Sequence, residues 1–214
     1  MVHIMAYRAT AFTENRKAQT RSRLLKEATR LVSRAGFRGL SIAQVASASG
    51  VATGTVYRYF PSKSELCIAV FEQATQREID AVKAASRLPR PPLQQLEQAF
   101  DCFIQRALKN PNLAYALIAE PVDPGLEQTR LVYRGRWAET FAQLIQQGID
   151  QGALAQQPAH LVGTALVGAM AETVIIPLQQ ARHEAGNHTP VTQAHCRQII
   201  DFCRHAVLQT EPSS

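Results

Sequence analysis

The 214-residue chain can hold one large domain or two small ones, and with 46% apolar and 19% charged residues it has a globular composition, which excludes a disordered chain. Its net charge of +6 is unevenly placed. Residues 1–64 carry 11 Lys or Arg and two acids, a net of +9, while residues 65–214 carry 12 cations and 15 acids, a net of −3. That split predicts an N-terminal segment that faces a polyanion and a body that does not.

Residues 1–12 read as a flexible tail without the long apolar core of a secretory signal. The four cysteines form no C-x-x-C pair, so reduced thiols and a cytoplasmic location are expected. From Thr13 to Ala35, Leu24, Leu25, Ala28, Leu31, Val32 and Ala35 recur at three- and four-residue spacing, which predicts a helix stopped by Gly36. SIAQVASA, 41–48, opens with a Ser41/Gln44 capping box and presents Ile42, Val45 and Ala46 on one face. Gly50 supplies a tight turn, a very short helix fits 53–59, and Pro61 ends it. Ser62 and Glu65 make a second capping box for a long helix over about 62–87.

LPRPP, 88–92, is the clearest linker. Helices follow over about 92–109, 112–120, 126–151, 159–180 and 190–209. Asn110-Pro111, the Pro121–Pro124 stretch, Gly152 and the polar HEAGNHTP segment separate them. The run 161–178 approaches membrane-spanning length, but Glu172 and Pro177 interrupt it. A helix buried on most sides is expected, with no membrane partner. The chain therefore reads as all-α, with a small basic head and a larger helical body and no convincing strand.

The head fits a helix-turn-helix: a bracing helix, a turn containing Gly, and a short polar helix. Val51 and Val56 pack inward with Ile42 and Val45, and Val56 and Phe60 read as core. Thr53, Gly54, Thr55, Tyr57 and Arg58 would then face DNA. Their hydroxyls suit phosphates or base edges, and Gly54 allows close approach of the backbone. Lys63 sits where a cation and free helix N–H groups can share one phosphate. Ser41 caps its helix and is also placed to meet a phosphate. The alternative is a packed turn of helix with no ligand.

Residues 41–66, SIAQVASASGVATGTVYRYFPSKSEL, resemble the DNA-binding signature of the TetR family of transcriptional regulators, and the similarity extends from about Arg16 to Glu65. The resemblance implies DNA contacts from Ser41, Thr53, Gly54, Thr55, Tyr57, Tyr59 and Lys63. It also implies a DNA-binding domain over 13–63, an effector-binding and dimerisation domain over 64–210, and flexible ends at 1–12 and 211–214. Many members carry Ser-Lys or Ser-Arg where this chain has Ala52-Thr53, so a cap and a cation are missing at the start of the recognition helix.

A homodimer on a palindromic operator follows from the same resemblance. Its counterpart in the residues is the pair of last helices. The first is rich in small residues at Gly163, Ala165, Gly168, Ala169 and Ala171. The second offers Ile199, Phe202, Cys203, Ala206 and Val207 on one side. Members of the family bind a small-molecule effector that releases DNA, with no cofactor. Candidate lining residues are Phe100, Phe103, Tyr115, Trp137, Phe141, Met170 and Glu172, although aromatics at helical spacing also serve as core. Glu172, inside an apolar helix, needs an Arg, a ligand or a dimer seam as partner. Arg130, Arg134 and Arg136 either meet an anionic ligand or form a solvated face.

The expected function is a ligand-responsive, sequence-specific repressor and not an enzyme, with an activator as the alternative. A helical-bundle enzyme is the rival class. It finds no paired Glu-x-x-His, Walker loop, G-x-G-x-x-G or G-x-S-x-G, so no catalytic residue is expected. His195, Cys196, Cys203 and His205 lack standard metal spacing, and packing of the two cysteines in an interface is expected in place of a metal.

Overall fold

The apolar stripe of the N-terminal segment forms α1 (Val2–Ala35), with Leu24, Leu25, Ala28 and Val32 buried along one side. The computed structural model describes residues 2–183 and 190–208, with side chains over 13–182 and 193–208. The expected tail at 211–214 and most of the HEAGNHTP separator lie outside the described residues. At the other end α1 starts at Val2, so residues 2–12 are helix where a flexible tail was expected. VHIMAYRATAF contains no Gly or Pro, and nothing in it stops the helix that follows from extending back. At its C-terminal end Gly36, with φ +71°, turns the chain out.

Two short helices, α2 (Ile42–Ala48) and α3 (Thr53–Tyr59), complete the head. Ser41 Oγ accepts the Gln44 N–H at 3.4 Å, and Gly50, at φ +65°, makes the turn between them. Val45 and Ala46 of α2 and Val56 and Phe60 from the α3 segment close over the α1 stripe, and Val51 packs half-buried beside them. The Arg21 guanidinium lies 5.2 Å above the Phe60 ring, so a basic residue of α1 also covers the core. Ser62 caps α4 (Lys63–Ser86), accepting the Glu65 N–H at 3.1 Å, and α4 carries the chain into the body.

The body consists of α5 (Pro92–Lys109), α6 (Pro111–Ile118), α7 (Pro124–Asp150), α8 (Ala159–Thr173), α9 (Ile175–His183) and α10 (Pro190–Val207). Pro at the first turn and a side-chain cap start two of them. Asn110 accepts the Leu113 N–H, and Asp123 Oδ1 accepts the N–H groups of Gly125 and Leu126. Asp123 also accepts the Ser64 hydroxyl at 3.0 Å, tying the first turn of α7 to that of α4. Partial burial pushes its carboxyl up, but the bonds from Leu126, Ser64 and Gly125 outweigh that and hold it below the ordinary value. The described residues contain no strand, and the fold is all-α.

Three expectations about the last helices are corrected. The single helix over 159–180 is two, α8 and α9, joined at Val174. Pro177 has no N–H for the Thr173 carbonyl four residues back and its ring crowds that oxygen. The ring of His195 on α10 lies 3.3 Å from this carbonyl. Second, α8 is not buried on most sides: Gly163, Leu166 and Met170 face in, but Leu161, Ala165, Gly168 and Glu172 are exposed. By length and composition the run Ala159–Arg182 would suffice to cross a membrane, with only 33% of its apolar window buried in the fold.

Third, α10 turns Cys196, Ile199, Cys203 and Val207 into its own subunit's core and leaves Phe202 and Ala206 outside. The two cysteines therefore do not reach an outer face. Burial pushes the Cys203 thiol up to about 12 and the Cys67 thiol to about 11, so both stay protonated at neutral pH.

Candidate nucleic-acid interface and effector cavity

Val56 is fully buried and Phe60 nearly so, and these two anchors fix which side of α3 points outward. Thr53, Gly54, Tyr57 and Arg58 are exposed, with Tyr57 at 47% despite its ring. Thr55 and Tyr59 are half-buried, and Tyr59 leans on the core. No side chain caps α3 at Ala52. Ser41 is half-buried and engaged with Gln44, and exposed Lys63 opens α4, with its Nζ donating to the Arg38 carbonyl at 3.2 Å. Seven of the eight candidate DNA residues thus lie between the start of α3 and the start of α4, and Ser41 lies at the start of α2.

A carboxylate from the body reaches this head. Glu120, at 7% exposure in the loop after α6, accepts the Phe37 N–H at 2.9 Å and the Arg38 N–H at 3.0 Å. Those N–H groups belong to the turn between α1 and α2. Gly36 sits against the same carboxylate: a Cβ there would lie 2.5 Å from Glu120 Oε2. Arg130 of α7 holds Glu120 from behind, its Nη2 donating to the Glu120 carbonyl at 2.8 Å and to the Ala116 carbonyl at 3.3 Å. Its Nε donates to the Leu117 carbonyl at 3.1 Å, and its Nη1 pairs with Glu127.

Arg130 is therefore buried, which corrects the solvated-face alternative for that residue. Burial lowers its pKa from the ordinary value; the Glu127 carboxylate opposes this and the neighbouring Arg134 charge adds to it. Arg134 and Arg136 are exposed, and Arg136 stacks on the Tyr133 ring with its guanidinium 4.3 Å from the centroid.

Between α4, α5, α6, α7 and α8 lies a cavity of about 90 Å³ with a largely apolar wall. Phe103, Trp137, Phe141 and Met170 line it. Phe103 meets Trp137 edge-on at 5.2 Å, and Trp137 stacks on Phe141 at 6.2 Å. The other candidates lie elsewhere. Phe100 backs Phe141 from the core, and Tyr115 is half-buried beneath the Arg182 guanidinium. Glu172 is exposed in a neighbouring groove of about 730 Å³ between α7 and α8, so it escapes the burial that its apolar helix suggested. Arg130 and Arg134, with Ile118, Val167 and Ala171, line both cavity and groove and form their boundary.

Sequence reasoning missed Glu120 and Thr75. Thr75 lines the cavity at 5% exposure, and its hydroxyl has no hydrogen-bond partner among the described residues. For Arg130 a signal existed: Leu126, Arg130, Tyr133, Trp137 and Phe141 recur at helical spacing, and that stripe is the buried one.

Residues 24–70 match the model for bacterial regulatory proteins of the tetR family. The chain is 29% identical over 107 residues to the HTH-type transcriptional repressor KstR of Rhodococcus jostii (strain RHA1). That alignment covers 49% of each chain, so about half the length of the curated relative is spanned. Among solved structures, the fold is similar to the fatty acid degradation regulator FadR from Bacillus halodurans. The TM-score is 0.72 at 16% identity, over 86% of this chain and 94% of that one. FadR from Bacillus subtilis, in complex with stearoyl-CoA, gives a TM-score of 0.71 at 16% identity, over 87% and 98%. At these identities the two structures show a shared fold.

Proposed function

We propose that this chain, whose residues 24–70 match the model for bacterial regulatory proteins of the tetR family, is a cytoplasmic, dimeric, sequence-specific DNA-binding repressor released by a small molecule that enters its body. The observation that carries this reading is the outer side of α3. Threonine, tyrosine and arginine stand exposed there on a helix pinned by Val56 and Phe60, within a segment of net charge +9. Thr53, Thr55 and Tyr57 read base edges, while Arg58, Tyr59, Lys63 and the Ser41 turn hold phosphates.

The dimer forms through the exposed sides of α8 and α9 and the outer side of α10. Leu161 at 65%, Ile176 at 54% and Phe202 at 57% exposure are apolar side chains left without cover in one subunit, which supports that assignment. Two heads related by a two-fold axis then meet a palindromic operator.

Release runs through Arg130. A ligand group that draws this guanidinium toward the cavity weakens its hold on the Ala116, Leu117 and Glu120 carbonyls. The Glu120 carboxylate then loosens from the α1–α2 turn, and the head changes its angle to the body.

Fluorescence anisotropy with duplexes from the chain's own upstream region and with random duplexes, over a range of salt, tests the DNA-binding part. The upstream duplex should bind more tightly at every salt. Lys63→Met should weaken binding to both and reduce the salt slope by about 1. Thr55→Ala should cost about 1–3 kcal/mol on the preferred sequence alone. Equal affinity of the wild-type chain for both duplexes contradicts the reading.

A further inference from the structure

The effector cavity has a chemistry of its own. Its wall is largely aromatic and aliphatic, but two polar features interrupt it. The Thr75 hydroxyl faces this space with no partner among the described residues, and a buried hydroxyl without a partner is costly. At the boundary with the α7–α8 groove stand two arginines, and the carboxylates nearby do not serve them equally. Arg130 is paired with Glu127, and Glu78 on the cavity wall is taken by Arg106. Arg134 has no hydrogen bond or ion pair among the described residues and adds an unfavourable positive charge beside Arg130. Glu172 and His160 line the groove beyond it. The volume limits the enclosed apolar part: about 90 Å³ falls short of the ~150 Å³ cavity that admits benzene, so only the tip of an apolar group is enclosed and the remainder lies along the boundary with the groove.

We propose that the site takes an amphipathic anion, with a short acyl chain against Trp137 and Phe141 and an anionic end held between Arg130 and Arg134. An anion placed there relieves the repulsion between the two guanidiniums and accepts charge-assisted hydrogen bonds from both. The same chemistry comes from a free short-chain carboxylate or from an acyl thioester of a phosphorylated carrier, whose phosphates would extend into the groove. This inference rests on the regulator reading for its consequence, and ligand binding can be measured apart from DNA.

Trp137 is the sole tryptophan of the chain and lines the cavity, so its fluorescence reads the site directly. The full-length protein is titrated with hexanoate, hexylamine and hexanoyl-coenzyme A, with Arg134→Ala in parallel. Its exposed side chain can be removed without opening the core. Saturable changes are expected with hexanoate or its thioester and not with hexylamine, and Arg134→Ala should weaken anion binding about tenfold or more. A thioester that binds at least tenfold more tightly than hexanoate assigns the anion to the groove phosphates, and equal binding assigns it to the free carboxylate. Hexylamine binding as tightly as hexanoate overturns the proposal, as does unchanged anion affinity in Arg134→Ala or no binding by either anion. An anion that binds without weakening the DNA complex counts against ligand release and leaves the anion site standing. Specific DNA binding together with no anion-dependent change in tryptophan fluorescence counts against the site alone.

Discussion

Glu120→Ala is expected to lower stability by about 2–5 kcal/mol, because two N–H groups of the α1–α2 turn lose their acceptor at once. An unsatisfied buried donor costs about 1–3 kcal/mol, and the Arg38 N–H, being only partly buried, falls below the top of that range. For a chain of this length the melting temperature should fall by roughly 2–4 °C per kcal/mol. Glu120→Gln should cost less, since its carbonyl oxygen still accepts one of the two bonds while its amide faces the other N–H. Calorimetry on both variants measures this. The same variants report on coupling: if Glu120 connects cavity to head, the Glu120→Gln protein should bind DNA yet respond less to ligand. Melting temperatures equal to the wild type would show that water replaces the carboxylate without loss, and the link would carry little.

Gly163→Ala should produce the second large effect. A Cβ at this position would lie 2.7 Å from the Ala138 carbonyl oxygen and 2.9 Å from the Ala142 nitrogen. Both are backbone atoms of α7, so no flexible side chain can yield and α8 must move away. Overpacking of this kind costs about 1–3 kcal/mol, against which alanine's better helix propensity returns up to ~1 kcal/mol. Because α8 also bears the proposed dimer face, analytical ultracentrifugation should show weaker self-association together with the lower melting temperature. Gly168→Ala is the control for stability, as nothing lies within 4 Å of the added Cβ in one subunit. A Gly163→Ala protein as stable as the wild type would mean that α7 and α8 tolerate separation.

Much of the fold was legible because it rests on local signals. Gly36 and Gly50, the capping pairs at Ser41 and Ser62, and the proline starts at Pro92, Pro111 and Pro124 mark helix ends within a residue or two of where they lie. The head was legible in finer detail, since Val56 and Phe60 follow helical spacing and leave Gly54 and Tyr57 off that side, while Thr53 stays exposed at the first residue of α3. What local patterns could not encode was direction in the long apolar segments. The α8 stretch is apolar all round, so periodicity does not say which face meets α7. The α10 stretch carries two apolar stripes, and only tertiary packing chooses Cys196, Ile199, Cys203 and Val207 over Phe202. The break at Val174 was marked by Pro177, whose effect reaches four residues back.

The candidate site divides in the same way. Phe103, Trp137, Phe141 and Met170 meet in one cavity because each lies on the inner stripe of its own helix. Phe100 lies inward too, but against Phe141's other side. Glu120 was invisible because its partners lie 83 and 82 residues earlier in the chain, in a turn whose N–H groups no side-chain pattern reveals. Arg130 was visible in principle: a lone cation on an apolar stripe stays there only when its guanidinium finds enough acceptors, and three carbonyls and Glu127 supply them.

In the proposed dimer, two copies of the α3 face read one symmetric stretch of duplex DNA. Hydroxyl-radical footprinting of the chain on its upstream region, without ligand, tests it most directly. Two protected half-sites related by a two-fold axis are expected, centred one helical turn or a whole multiple apart, and they should disappear in a variant carrying both Tyr57→Ala and Lys63→Met. Protection that is uniform along the duplex, or unchanged in that variant, would contradict it.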